Sequence, residues 1–178
     1  GARAPRVSSP TLERPGRPTV HISIGSGVVG TDDLAGQLAG LLGDVLDLEG
    51  VAGRAEVGLH LVGTGEIQRL NAEHMGVDAP TDVLSFPVDG SGGADSDGDT
   101  PPPLVGDVVL CAEVARRNAA SHAGTELDEC RLLVVHGALH LCGWDHSDSQ
   151  ERAAMWARER QVMELLGVTP PKDPWGAP

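Results

Sequence analysis

The sequence predicts an α+β fold: a single domain in which a mixed, roughly four-stranded sheet packs with about five helices. Three observations carry this. The chain has 178 residues, the length of one ordinary domain. Along it, three or four short segments of alternating apolar and polar residues are mixed with five segments of helical periodicity. Hydrophobic residues make up 40% of the chain, and a domain of this size buries about 70% of its unfolded surface without needing staples.

Taken in order, residues 19–24 alternate as a strand does. Over residues 31–48, Leu34, Leu38, Leu41, Leu42, Val45 and Leu48 recur at helical spacing, with Thr31 and Asp32 available as caps. Residues 56–62 alternate again. Residues 64–73 read as a short helix with Thr64 at its N-cap. Residues 82–88 and 104–111 read as two more strands, and residues 112–122 as a helix. Residues 127–142 are strongly apolar and predict a buried helix, and Gly143 is placed to stop it. The Ser147-Asp-Ser-Gln150 run has capping-box form and opens a last helix that ends at Gly167.

Three segments fall outside this pattern. Residues 1–17 carry three prolines, four arginines and one glutamate, the composition of a disordered tail. Residues 89–103, DGSGGADSDGDTPPP, form an acidic low-complexity loop. Residues 168–178 are proline-rich and read as a flexible tail. The folded body is therefore residues 18–167.

The formal net charge is -13, and neither tail nor loop accounts for it. Such a body does not coat nucleic acid by bulk charge. Aromatic residues are only 2% of the chain, which argues against a broad stacking platform for single strands. No apolar run is long enough to cross a membrane, and the N-terminal residues lack the apolar stretch of a secretion signal. Cys111, Cys130 and Cys142 are odd in number and widely spaced, so they read as reduced thiols of a cytoplasmic protein.

Chemistry concentrates between His136 and His146. His136 and His140 lie four apart on a predicted helix, which puts both imidazoles on one face, one turn apart. Gly143 permits a reversal of the chain, and His146 follows from the next turn. This spacing is that of three-histidine zinc sites of the metzincin kind. Three neutral imidazoles favour Zn2+ and leave a fourth position open. Zinc peptidases carry a glutamate directly after the first histidine as general base. Here that residue is Gly137, so peptidase chemistry of that kind is disfavoured. Gly137 either leaves room for substrate or allows close helix packing. Cys142 falls on a different helical face and reads as a packed residue. Asp145 either orients a histidine ligand or caps the following helix.

The segment His136-Gly-Ala-Leu-His-Leu-Cys-Gly-Trp-Asp-His146 resembles the signature of the YbeY family of bacterial zinc-dependent endoribonucleases, also called rRNA maturation factors. Pro80-Thr-Asp-Val-Leu-Ser-Phe-Pro87 and Val105-Gly-Asp-Val-Val-Leu110 resemble two further blocks of that family, in the same order. The resemblance implies one Zn2+ held by His136, His140 and His146. It implies cleavage of single-stranded RNA, with the 16S rRNA precursor as substrate, and a role in ribosome quality control. Small-subunit ribosomal proteins are the partners it suggests. Thr81, Asp82 and Ser85 would lie near the cleft, either as substrate contacts or as strand and turn formers. Asp107 and Asp82 are candidates to take a proton in place of the missing glutamate, the RNA 2′-hydroxyl being the other route to a nucleophile.

Many family members carry an arginine shortly before the Pro-Thr segment, where Met75 stands here. Its role does not carry over to Met75. Arg69 and His74 are the nearby candidates to replace it, with Arg116 and Arg117 as further cations that would frame a cleft. Two other readings remain alongside: a zinc hydrolase of peptides or small molecules, and a ribosome-assembly factor of weak catalysis.

Overall fold

The computed structural model describes residues 10–88, 100–172, 174 and 175. Its elements are β1 (Thr11–Leu12), β2 (Thr19–Ile24), α1 (Asp32–Leu48), β3 (Glu56–Leu61), α2 (Thr64–Met75), β4 (Val83–Pro87), β5 (Leu104–Leu110), α3 (Ala112–Ala119), α4 (Glu126–Leu141) and α5 (Ser149–Leu165). The strands form one mixed sheet in the order β1-β2-β3-β5-β4. The inner pairs β2–β3 and β3–β5 are parallel, and the flanking pairs β1–β2 and β4–β5 are antiparallel. The predicted α+β architecture with five helices is therefore present, with four main strands and one added short strand.

That added strand corrects the expected extent of the N-terminal tail. Thr11 and Leu12 pair with His21 and Val20. Arg14 and Arg17 then reach Asp44 on α1 at 3.0 and 3.1 Å, and Arg17 also reaches Asp47 at 3.1 Å. Three ion pairs and a two-residue ladder dock residues that composition alone marks as unfolded. Residues 1–9 lie outside the described residues, as do residues 89–99 of the acidic loop.

The sheet has two differently dressed faces. On one, α1 and α4 pack over β2, β3 and β5, burying Leu38, Leu42, Leu59, Leu110, Leu132 and Leu139 among others. Each fully buried side chain of this size contributes about 1.5–3 kcal/mol. On the other, α2 sets Ile67 and Leu70 against Leu84, Val109 and Phe86. Strand side chains alternate between these faces, which fixes where each candidate site residue points.

Caps correct the sequence reading in detail. Thr31 occupies the N-cap of α1, yet its hydroxyl is buried without a partner. Gly63, not Thr64, precedes α2. Asp148, not Ser147, caps α5 by accepting from the Glu151 N–H at 2.8 Å, and Glu151 accepts in return from the Ser147 N–H. No helix among the described residues is long and apolar enough to cross a membrane.

Candidate metal centre

Helix α4 is capped by the Thr125 hydroxyl and buried along most of its length, so His136 and His140 project from a rigid element. The helix ends in a Schellman turn: the Gly143 N–H donates to the His140 carbonyl and the Trp144 N–H to the Leu139 carbonyl, each at 3.1 Å. Gly143 has φ +96°, a conformation that side chains resist. The reversal carries His146 back to the helix. Asp145 shapes this loop by accepting from the His146 N–H at 2.7 Å and the Ser147 hydroxyl at 2.6 Å. Asp148, not Asp145, caps α5, and the two hydrogen bonds of Asp145 hold the segment that carries His146.

One potential ligand atom from each of His136, His140 and His146 lies within 4.8 Å of the others. The Nε2 atoms of His136 and His140 are 3.1 Å apart. Each ring is turned by a bond at its other nitrogen. Nδ1 of His140 donates to the Trp144 carbonyl at 2.8 Å, so the helix-ending turn also orients a ligand. Nδ1 of His136 meets the carboxylate of Glu159 on α5 at 2.5 Å. This is the arrangement that fixes the imidazole tautomer and raises ligand basicity in metal sites. Burial, aided by neighbouring His136, pushes the His140 ring down to about 4, which keeps it neutral. Two converging Nε2 atoms with both Nδ1 atoms occupied fit a metal ion well.

Glu159 and Trp175 were not legible in the sequence as parts of this site. Glu159 is fully buried, and its second oxygen accepts from the Trp175 indole N–H at 2.7 Å. The Trp175 ring lies 4.5 Å from that of His136. The segment expected to be a flexible C-terminal tail thus returns to the body at Trp175. Beside His136 and His146 opens a cavity of about 350 Å3, walled by Arg152, Trp156 and Trp175.

Position 137 is directed at the sheet. A Cβ there would stand 3.0 Å from the Ser85 hydroxyl oxygen and 3.2 Å from a Val108 methyl. Close packing, not room for substrate, is what Gly137 provides. The Ser85 hydroxyl donates to the Gly137 carbonyl at 3.2 Å, so Ser85 ties β4 to the helix turn that carries His136.

The two carboxylates expected to move a proton are elsewhere. Val108 faces α4, so its neighbour Asp107 faces the opposite side of the sheet, where it meets Nε2 of His60 at 2.7 Å. Nδ1 of His60 in turn meets the Ser23 hydroxyl at 2.5 Å. Asp82 accepts from the Val83 N–H at 2.8 Å and from Asn118 of α3 at 3.4 Å, and the Thr81 hydroxyl points to it at 3.5 Å. These are the contacts of a strand start, and neither carboxylate walls the cavity.

The expected cations also differ. Arg69 is held between Glu66 and Glu73 at 2.6 and 2.8 Å, its charge already matched. His74 stands edge-on to Phe86, 4.9 Å between centroids, on the face away from α4. Arg117 pairs with Glu113 at 3.0 Å. Met75 is exposed. Cys142 lies outside the histidine group, and burial pushes its thiol up to about 11.

The family model described as "Endoribonuclease YbeY" matches residues 26–167. Among curated proteins, the Endoribonuclease YbeY of Pelotomaculum thermopropionicum is 38% identical over 151 residues, 84% of this chain and 98% of that one. That of Frankia casuarinae is 41% identical over 148 residues, 81% of this chain and 72% of that one. That of Bacillus licheniformis is 37% identical over 123 residues, 68% of this chain and 78% of that one.

Proposed function

The chain belongs to the YbeY endoribonuclease family, and on that premise we propose that it cleaves single-stranded RNA at His136, His140 and His146 with one bound Zn2+, in maturing the 3′ end of 16S rRNA and in ribosome quality control. The observation that carries this is the pair of Nε2 atoms 3.1 Å apart, with their rings locked from behind by Glu159 and the Trp144 carbonyl.

His136 and His140 supply two converging Nε2 atoms from one helix face, and His146 supplies a third nitrogen from the loop. These three histidines would hold the Zn2+, which would supply Lewis-acid chemistry for phosphodiester cleavage. Glu159 holds the His136 ring in place, with one oxygen on that imidazole and the other on the Trp175 indole. With Gly137 packed against the sheet and Asp107 on its far side, neither stands in for the peptidase glutamate. This disfavours peptide hydrolysis, where that base is needed, more than RNA cleavage, where the 2′-hydroxyl is a built-in nucleophile. The acidic body lets basic small-subunit ribosomal proteins, rather than bulk charge, bring the enzyme to its substrate.

Incubating the zinc-loaded protein with a single-stranded RNA, its duplex and an unstructured peptide tests the substrate class. Cleavage of the single strand alone is expected; peptide cleavage without RNA cleavage overturns the reading.

A further inference from the structure

We propose that the cavity walled by Arg152, Trp156 and Trp175 is a nucleotide subsite: Arg152 receives a phosphate of the RNA and the two indoles take the base attached to it. This rests on the reading that the chain cuts RNA, and it says where the strand lies relative to the histidines.

The distribution of aromatic residues is the first support. The chain holds only Phe86 and three tryptophans. Phe86 packs on the far face of the sheet, and the Trp144 indole is tied to Glu49 at 3.2 Å. The remaining two, Trp156 and Trp175, come from α5 and from the chain beyond it to wall one cavity beside two metal-ligand candidates. A base presents a π-face that stacks on indole whatever its identity. The cavity, about 350 Å3, has the size of a small-ligand site.

Charge is the second. In a chain of net charge -13, arginines are mostly consumed by carboxylates: Arg14 and Arg17 by Asp44, Arg69 by Glu66 and Glu73, Arg158 by Glu49. Among the described residues Arg152 forms no ion pair, and it is the arginine that walls this cavity. Arg160 lies over the Trp156 ring at 5.8 Å and adds a second positive charge along α5. An arginine fork beside the metal-binding histidines suits a phosphodiester.

Geometry is the third. The Glu159 carboxylate bonds His136 through one oxygen and Trp175 through the other, at 2.5 and 2.7 Å. One buried group therefore sets the distance between a metal ligand and an indole platform, as a site that must align a base with a scissile bond requires.

The test uses the full chain with adenosine 5′-monophosphate, adenosine and ribose 5-phosphate as probes, read by tryptophan fluorescence, alongside RNA cleavage kinetics. Saturable quenching by the nucleotide is expected. Arg152→Gln, on the exposed side of α5, weakens the nucleotide about tenfold but leaves adenosine unchanged. Trp156→Ala weakens both about tenfold. In cleavage, both variants raise KM and leave kcat nearly unchanged, and an RNA lacking one base near the cut loses the effect of Trp156→Ala. Nucleotide binding that ignores both substitutions overturns the subsite, as does faster cleavage by Trp175→Ala, which marks Trp175 as a plug instead. Nucleotide binding that follows the substitutions, with no RNA cleaved by the wild type, keeps the subsite and overturns the endoribonuclease reading.

Discussion

Glu159 meets Nδ1 of His136 at 2.5 Å from a helix 23 residues further along the chain, and no part of Glu159 is exposed to solvent. A carboxylate placed there holds the imidazole in the tautomer that offers Nε2 to a metal. It also joins α5 to α4 through the functional group itself, so the site and the packing of the last helix are one construction.

Removing that support costs metal affinity before it costs fold. Glu159→Gln keeps the side-chain shape and loses the charge. Metal affinity is expected to fall about 10–100-fold, measured by competition with a chelator, while the far-ultraviolet circular dichroism stays as in wild type. Unchanged affinity would mean that the carboxylate serves packing alone.

Restoring the peptidase glutamate does not make a peptidase. Gly137→Glu drives a side chain into Ser85 and Val108, where a Cβ alone already meets atoms at 3.0 and 3.2 Å. Overpacking and a buried unpaired carboxylate together cost about 4 kcal/mol or more. Chemical denaturation is expected to show that loss, with no proteolysis gained. A stable Gly137→Glu protein that cleaves peptides would refute the packing role.

Asp107 tests the assignment of sheet faces. Asp107→Asn is expected to leave kcat for RNA within about twofold, because the residue faces away from α4. Its stability role is separate. A Cβ at Gly58 would overlap the Asp107 carboxylate and stand 2.7 Å from His60 Nε2, so Gly58→Ala expels the pair. That variant is expected to lose about 1–3 kcal/mol in urea unfolding. A large fall in kcat for Asp107→Asn would restore it as a proton acceptor.

Much of the site was readable because it is local. Three histidines and a helix-ending glycine fall within residues 136–146, and helical spacing alone aligns the first two. Long-range partners left no such trace. Glu159 sits among Arg158, Arg160 and Glu164 in a helix that reads as a solvated surface, and only the packing of α5 on α4 buries it. Asp107 was misplaced for a related reason: Val105, Val108, Val109 and Leu110 are apolar on both faces of β5, so the run carries no phase to say which way the carboxylate points. Strand β1 is two residues long in a segment of proline and arginine, too short for any alternation to show. The four main strands and five helices, each with several periods of pattern, were read within a few residues of their ends.

Glu129 makes stability depend on pH. Burial raises its pKa above the ordinary 4.5, and the bond from His122 at 2.7 Å offsets only part of this. A raised acid favours folding while it is protonated, so its contribution is present at low pH and is lost as pH rises through the folded value. Glu129→Gln removes that loss. Urea unfolding midpoints measured upward from pH 4.5 are expected to fall less steeply for Glu129→Gln than for wild type; parallel curves would contradict the assignment.

The most direct test of the metal centre is zinc content and RNA cleavage measured on the same preparations of wild type and His140→Ala. His140 takes its orientation from the Trp144 carbonyl and contributes one of the two converging Nε2 atoms, so its loss opens the site without disturbing the core. Wild type is expected to hold one zinc per chain and to cleave single-stranded RNA, and His140→Ala to lose both while remaining folded. Full cleavage by a zinc-free His140→Ala protein would contradict the account.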